Sequence, residues 1–236
     1  MRKLFVVPAR KGSKRLPGKN VMHLAGKPLF QHTIDLMLSV ADRSLDKGIV
    51  STDIDEIPDY WTNDPFFLEY KRPASVSNDG TSSDETLVHA VNAALKLGFE
   101  FDWVFLLQVT SPFRTRAGFN SFVESVLKQS DMDEFSHASI SRLPLALYEV
   151  GVIDAQDSSF LPLSRPSSVD SKTWSGQNAG FIDGCYYAAS LKFIRRFEGM
   201  GLPDQVRFHP GEKEFQIDID TEFDINLAKR LADRNE

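Results

Sequence analysis

Short apolar runs alternate with amphipathic helical segments along most of this 236-residue chain, and no other sequence feature constrains the fold as strongly. The runs have the length of buried strands, and the segments between them carry apolar residues at helical spacing. Strands and helices that alternate in this way form a parallel sheet covered on both sides. We therefore predict an α/β fold with a mostly parallel sheet and helices on both faces. Strands are predicted at 4–9, 47–52, 102–109, 183–189 and 214–220, and helices at 28–41, 53–61, 82–98, 115–129, 191–198 and 221–234.

The segment 136–180 interrupts the alternation of strands and helices. Its first part favours short strands, at 136–141 and 146–153, and 164–180 is rich in Ser, Pro and Gly, which is typical of a loop. We predict a single domain over 1–236 with a β-rich excursion at 136–180. The apolar residues of the excursion need a surface to pack against, because an isolated hairpin is at best marginally stable in water.

The composition excludes several classes of protein. No apolar stretch reaches the roughly 18 residues of a membrane span, and residues 1–15 lack the apolar core and cleavage site of a secretion signal. The single cysteine, Cys185, cannot form an internal disulfide or a Cys-based zinc cluster, and the five histidines show no H-x-x-x-H spacing. We expect a cytoplasmic protein that does not enter the membrane.

A strongly basic loop follows the first predicted strand. Residues 1–34 contain eight Lys or Arg and no acid, whereas the remainder carries 19 basic and 33 acidic residues. In an open α/β sheet, ligands bind outside the carboxyl ends of the strands, which is where this loop begins. Gly12 and Gly18 allow the backbone to approach an anion closely. Five cations of the loop repel one another unless a polyanion such as a triphosphate neutralises them: Arg10, Lys11, Lys14, Arg15 and Lys19.

The loop matches no standard nucleotide-binding fingerprint. Five residues instead of four separate Gly12 from Gly18, and Asn20 stands where a Walker A motif has Ser or Thr. No G-x-G-x-x-G sequence is present either. A solvated basic turn and an RNA-binding module are the alternatives to a triphosphate site. The acidic remainder of the chain and the lack of interleaved aromatic residues disfavour RNA, so we expect no nucleic-acid partner.

Asp218 and Asp220 stand two residues apart in the predicted strand 214–220, so their side chains point to the same face. Two neighbouring carboxylates repel each other unless a cation or hydrogen bonds compensate. Mg²⁺ suits such a pair, because it is held by one or two carboxylates, waters and substrate phosphates. The alternative is that Asp220 caps the following helix while Asp218 is solvated. Asp53 and Asp55 form a second pair at a strand-to-helix junction, where capping is the expected role.

The loop PARKGSKRLPGKN (8–20) resembles the signature loop of the CMP-sugar-acid synthetases, the cytidylyltransferases that activate sialic acids and their bacterial relatives. The branch that it resembles most is N-acylneuraminate cytidylyltransferase, since Kdo synthetases typically lack the Gly-Ser-Lys at 12–14 and the Lys-Asn at 19–20. The resemblance implies a Rossmann-like nucleotidyltransferase fold. Further segments agree in the same order: HLAGKPL (23–29), VSTDIDEI (50–57), KRP…ND…SS (71–83), LLQVTSPFR (106–114) and QIDIDTEFDINLAK (216–229).

The resemblance implies a reaction in which CMP passes from CTP to a nonulosonic (sialic-type) acid, with release of pyrophosphate. The anomeric hydroxyl attacks the α-phosphorus directly, so the protein supplies positioning and charge stabilisation. The same chemistry on a legionaminic, pseudaminic or Kdo-type acid is one alternative, and a catalytically idle protein that binds nucleotide sugars is another. Mg²⁺ is the implied cofactor. The implied assembly is a homodimer with shared active-site edges, and a monomer whose excursion packs on its own core is the alternative.

The resemblance also assigns the site residues. It implies catalytic roles for Arg10, Lys19 and Asp218, nucleotide binding by Arg10, Gly12, Ser13, Lys19, Asn20, Arg72 and Ser82, sugar-acid binding by Gln108, Arg165, Asp183 and Tyr187, and metal binding by Asp218 and Asp220. Without the resemblance, Arg72 would be a surface cation and Gln108 a strand-end polar residue. Tyr187 would be a core tyrosine and Arg165 a loop arginine. Asp183 stands where the family's Asn-Gly-x-x-Tyr element has Asn, so it adds a negative charge near an anionic sugar.

Overall fold

The computed structural model describes residues 1–61, 63–142, 151–153, 160–162, 180–212 and 216–233. Its strands are β1 (Lys3–Ala9), β2 (His23–Leu24), β3 (Lys27–Pro28), β4 (Lys47–Thr52), β5 (Trp103–Leu106), β6 (Ser136–Arg142), β7 (Gly151–Ile153), β8 (Phe160–Pro162), β9 (Gly180–Ser190) and β10 (Val206–Pro210). Its helices are α1 (Leu29–Val40), α2 (Ser83–Lys96), α3 (Arg116–Leu127), α4 (Leu191–Phe197) and α5 (Glu222–Ala232). Within these ranges, six strands form the central sheet in the order β4-β1-β5-β9-β6-β10, and β2 with β3 and β7 with β8 form two-stranded sheets.

The central sheet is mostly parallel, as the sequence predicts. β1 pairs in parallel with β4 and β5, and β10 pairs in parallel with β6. β9 runs antiparallel to both β5 and β6. The last residue of β6, Arg142, pairs with the first residue of β9, Gly180, so β9 runs back alongside β6.

The core has one layer on each side of the sheet, because strand residues alternate between the two faces. In β1, Phe5 and Val7 pack on the side of α1, α3 and α5, whereas Leu4 and Val6 pack on the side of α2 and α4. Burial on both faces explains why the strands appear in the sequence as continuous apolar runs. None of the helices among the described residues is long and apolar enough to cross a membrane.

Several described elements differ from the sequence-based expectation, among them the short strands β2, β3 and β8, which the sequence does not predict. The predicted strand 214–220 is wrong over its described part, since 216–220 forms no strand. The predicted helix 53–61 is reduced to a short 3-10 helix at Pro58–Trp61. The sequence pattern does not indicate β10, because this edge strand is partly exposed and has no continuous apolar run.

The excursion is described only in part. β6, the first strand of the predicted range 136–180, belongs to the central sheet. Within 143–179 the structure describes β7 and β8, which pair antiparallel with each other. The single domain over 1–236 and its excursion therefore stay predictions.

A chain of buried hydrogen bonds joins α3, β6 and β10 through two histidines. His137 Nε2 lies 2.9 Å from the Met132 carbonyl oxygen and therefore donates to it, and His137 Nδ1 lies 2.8 Å from His209 Nε2. His209 Nδ1 lies 2.8 Å from Ser125 Oγ. Because His137 Nε2 donates, His137 Nδ1 must accept from His209 Nε2. A proton added at His137 Nδ1 would face the proton on His209 Nε2, so the chain of hydrogen bonds requires a neutral His137.

We expect this histidine chain to make the fold acid-sensitive. Burial, together with the neighbouring His137, lowers the pKa of His209 to about 4, and burial lowers the pKa of His137 as well. The folded state therefore takes up protons less readily than the unfolded chain. Unfolding free energy should fall as the pH drops from about 6.5 towards 4, by on the order of 2 kcal/mol. Urea denaturation across this range tests it. A His209→Gln variant that loses as much stability over the same range as the wild type would contradict the assignment.

Candidate active site

A cleft of about 420 Å³ lies at the carboxyl ends of β1 and β5. The basic loop, the first turn of α2, the residues after β5 and the aspartate pair before α5 all contribute to its walls. The cleft therefore brings together the two features that the sequence predicts to converge. Its lining residues include ten that the sequence assigns to the site: Arg10, Gly12, Ser13, Lys19, Asn20, Arg72, Ser82, Gln108, Asp218 and Asp220.

The basic loop is held in shape by its own backbone. Gly18 has φ of +71°, a conformation that favours glycine, and a short 3-10 helix at Lys19–Val21 follows it. Asn20 Nδ2 donates to the Arg10 carbonyl oxygen at 2.8 Å and closes the loop across its base. Asn20 therefore has a structural task in addition to its place in the cleft. Lys19 is 9% exposed, so its charge is directed into the cleft rather than into solvent.

The aspartate pair lies directly against the loop. Lys19 Nζ is 2.8 Å from Asp220 Oδ1, and Arg15 also pairs with Asp220. Asp220 does not cap α5, because the Thr221 hydroxyl and Asp224 form the capping box of that helix. The capping alternative for Asp220 is thus wrong. Although residues 216–220 form no strand, burial still alternates from 217 to 220: Ile217 and Ile219 are buried, whereas Asp218 is exposed and Asp220 is partly exposed.

A third acid, Asp79, neutralises the other end of the loop. Arg10 Nη1 is 3.0 Å and Lys14 Nζ is 3.2 Å from its carboxylate. These cations hold the pKa of Asp79 below its usual range. Asp79 Oδ1 also lies 3.8 Å from the point where a Cβ on Gly12 would stand. Four cations of the loop are therefore ion-paired, and the sequence gives no sign of this role for Asp79 beyond its place in the segment 71–83.

Arg72 is a buried residue at the base of the cleft rather than the surface cation of the alternative interpretation. It is 4% exposed, its Nε donates to the Val76 carbonyl oxygen at 2.9 Å, and its Nη2 donates to Thr86 Oγ1 at 3.0 Å. Burial lowers the pKa of its guanidinium. Ser82 lies nearby as the N-cap of α2, where its hydroxyl accepts from the Glu85 amide. The wall at this side combines a buried cation with the positive end of a helix.

The far wall of the cleft carries the residues expected to face a sugar acid. Gln108 and Thr110 follow β5 and line the cleft. Gly184 has φ of +72°, and a Cβ there would stand 3.8 Å from Gln108 Oε1 and 3.9 Å from Asp218 Cγ. Burial and the negative charge of Asp218 raise the pKa of Tyr187 to about 12. Tyr187 thus lies near this wall, although it does not line the cleft itself.

Asp183 is engaged in the fold instead of facing the cleft. It is 2% exposed, it accepts hydrogen bonds from the Ser139 and Ser141 hydroxyls, and it accepts from the Cys185 amide at 3.0 Å. These contacts account for both of its oxygens. A direct contact between Asp183 and a sugar stays a prediction that the cleft lining does not support. Arg165 lies outside the described residues.

The aspartate pair suits a hard divalent cation. Asp218 and Asp220 offer carboxylate oxygens to the cleft, and cationic side chains of the basic loop lie beside them. The described part of the chain contains no group of three or more His, Cys, Asp or Glu that could enclose a metal. A two-carboxylate site that shares its ion with phosphates and waters is typical of Mg²⁺. The donor set therefore fits this ion and fits a closed protein cage poorly.

Comparisons with known proteins agree with this geometry. The sequence profile of the family described as Cytidylyltransferase matches residues 4–133. The chain is 31% identical to CMP-N,N'-diacetyllegionaminic acid synthase of Legionella pneumophila, over 100% of this chain and 98% of that protein. It is 28% identical to N-acylneuraminate cytidylyltransferase of Escherichia coli, over 95% of this chain and 51% of that protein.

The fold has a match among solved structures as well. CMP:2-keto-3-deoxy-manno-octonic acid synthetase, solved in complex with CTP, matches with a TM-score of 0.70 and 18% identity over 100% of both chains. The predicted Rossmann-like nucleotidyltransferase fold is thereby confirmed. The chain accordingly belongs to the cytidylyltransferase family, within the group of CMP-sugar-acid synthetases, and is a nucleotidyltransferase.

Proposed function

We propose that this protein transfers CMP from CTP to the anomeric hydroxyl of a nonulosonic acid and releases pyrophosphate. The observation that carries the proposal is the contact between Lys19 and Asp220 inside one cleft, since a basic loop and a carboxylate pair are the two halves of a metal–triphosphate site. The far wall of the cleft, with Gln108, provides polar groups for an acceptor. The chain's membership of the cytidylyltransferase family supports the same reaction.

The chemistry follows from the charges that line the cleft. The acceptor oxygen bonds to the α-phosphorus, the bond from that phosphorus to the bridging oxygen breaks, and pyrophosphate leaves with the bonding electrons while the hydroxyl proton passes to solvent. Negative charge builds up on the leaving group, and Arg10 and Lys19 are positioned to stabilise it. Asp218 and Asp220 would hold Mg²⁺, which would neutralise phosphate charge when bound.

A sialic-type acid is the proposed acceptor, and the identity of that acid defines the experiment. The two relatives described above are named for different acids, diacetyllegionaminic acid and N-acylneuraminic acid. Pyrophosphate release from CTP should be measured with N-acetylneuraminic, legionaminic, pseudaminic and Kdo acids, each with and without Mg²⁺. We expect release with at least one nine-carbon acid and only with Mg²⁺. Binding of CTP without turnover of any acid would instead support an idle nucleotide-sugar-binding protein.

A substitution at Asp79 tests whether the cations of the basic loop bind the nucleotide. In the structure it holds Arg10 and Lys14, two cations that the triphosphate needs, so nucleotide must compete with this carboxylate. Exposed ion pairs are weak, so Asp79→Asn should tighten CTP binding by only about two- to fivefold. Calorimetric titration at low salt measures this change, with Asp204→Asn as the control for loss of one exposed acid elsewhere. Weaker CTP binding by Asp79→Asn would mean that Asp79 orients the loop for nucleotide.

The assembly and the compartment are further parts of the proposal. Ile182 and Phe208 are 53% and 44% exposed at the β6–β9–β10 end of the sheet, the end from which the excursion leaves. Exposed apolar side chains at that end support a homodimer, which sedimentation equilibrium can test. A cytoplasmic location agrees with the single, buried cysteine.

A further inference from the structure

Arg114 is a buried cation behind the acceptor side of the cleft. Its residue is 7% exposed, and it lies behind the cleft lining rather than in it. Burial lowers the pKa of its guanidinium. The described residues include no ion pair to Arg114, so this charge is balanced by hydrogen bonds and by more distant acids. A buried guanidinium without a paired carboxylate costs free energy, and a purely apolar core position would not require it.

The guanidinium ties together three segments of the fold. Nη2 donates to the Gln108 carbonyl oxygen at 2.7 Å and to Thr33 Oγ1 at 2.6 Å, and Nη1 donates to the Cys185 carbonyl oxygen at 2.9 Å. Gln108 follows β5, Thr33 belongs to α1, and Cys185 belongs to β9. A planar fork of donors can hold several carbonyl oxygens in fixed directions at once, which an ammonium group does less well.

One of these segments lines the acceptor side of the cleft, and a second lies next to it. Gln108 lines the cleft, and Cys185 directly follows Gly184, where an added Cβ would stand within 4 Å of Gln108 and Asp218. Gly184 lies in β9 where the pairing with β6 is irregular, and Asp183 holds this part of the strand by accepting from the Cys185 amide. Arg114 therefore binds the carbonyl group and Asp183 the amide group of the same residue, Cys185. The triphosphate side of the cleft has no described contact with Arg114.

We propose that Arg114 is a positioning residue for the acceptor: it fixes the Gln108 backbone and the Gly184–Cys185 segment of β9 so that a sugar acid meets the α-phosphorus in line. This inference rests on the proposed function. It assigns Arg114 to the acceptor half of the site and leaves the nucleotide half independent of it. A small displacement of a substrate-positioning wall, about 1 Å, can cost on the order of a hundredfold in rate.

The test separates the two halves of the site. In Arg114→Lys, we expect the KM for the sugar acid to rise by about tenfold or more while the Kd for CTP stays within about twofold of the wild type. Thr33→Val removes one partner of the guanidinium and should shift the same constant in the same direction by less. If Arg114→Lys does not fold, the Thr33→Val variant provides the test on its own. Val126→Ala, a core change in α3 away from the cleft, is the control for general loss of stability and should leave both constants unchanged.

Each outcome has a distinct meaning. Equal changes in the acceptor KM and the CTP Kd, no change in either, or the same pattern in Val126→Ala would each overturn the positioning role. A wild-type protein that turns over none of the sugar acids would instead overturn the proposed function. Measuring wild-type turnover first therefore keeps the two failures apart.

Discussion

Replacing Asp218 or Asp220 with Asn should abolish pyrophosphate release, by at least about a thousandfold, while the melting temperature changes little. The carboxylates are exposed or partly exposed in the cleft, so we expect their charge to matter far more for turnover than for folding. Their proposed ligand does depend on it, because an amide is a poor substitute for a carboxylate at a hard cation. Asp220→Asn has a second effect, since it leaves Lys19 and Arg15 without their common partner.

The measurement is a steady-state assay with saturating CTP, acceptor and Mg²⁺, together with a thermal melt of each variant. Asp204→Asn, an exposed acid outside the cleft, is the matched control and should behave as the wild type. Near-normal turnover in both Asp218→Asn and Asp220→Asn would refute the metal assignment. Loss of activity that tracks loss of folded protein would reduce the pair to a structural role.

Lys19→Met should cause the next largest loss of turnover. Its ammonium is almost fully withdrawn from solvent and points into the cleft, where a phosphate group would replace Asp220 as its partner. Removing a preorganised charge from such a site typically costs about a hundred- to a thousandfold in turnover. Methionine keeps most of the chain length and apolar packing, so we expect the fold to persist. Lys19→Arg keeps the charge and should recover part of the activity.

The assay for Lys19→Met is kcat/KM for CTP together with the Kd for CTP. Lys128 is exposed and pairs with Glu124 of α3, so Lys128→Met controls for the loss of one lysine. This variant should keep the wild-type kcat/KM and Kd for CTP. If Lys19→Met binds CTP and turns over as the wild type does, the basic loop does not carry the triphosphate.

The sequence predicts the local parts of this protein and the order in which they occur. Apolar runs identify β1, β4 and β5 because these strands are buried on both faces, and such burial leaves a local signal. β10 leaves none, since it is a partly exposed edge strand held by its neighbour β6. The alternation of apolar and acidic residues around Ile217 and Ile219 suggests a strand. These two side chains do pack in the core, but their backbone does not join the sheet.

The same division applies to the site. The basic loop and the aspartate pair are recognisable because each is contiguous in the chain. Asp79 and Arg114 are not recognisable in the sequence, because their roles arise from contacts with distant residues, such as Arg10 and Cys185. An isolated Asp or Arg has the same appearance in a sequence whether it is solvated or buried against a cleft. Arg72 illustrates the point, since only its burial separates a cleft residue from a surface cation.

The central claim is that the loop and the aspartate pair hold one metal–triphosphate between them. Calorimetric titration of CTP, with and without Mg²⁺, into the wild type and into an Asp218→Asn/Asp220→Asn double variant tests this claim most directly. We predict that Mg²⁺ tightens CTP binding to the wild type by about tenfold, as expected for an ion shared by carboxylates and phosphates, and has no effect on binding to the double variant. An equal effect of Mg²⁺ on both proteins would contradict the claim.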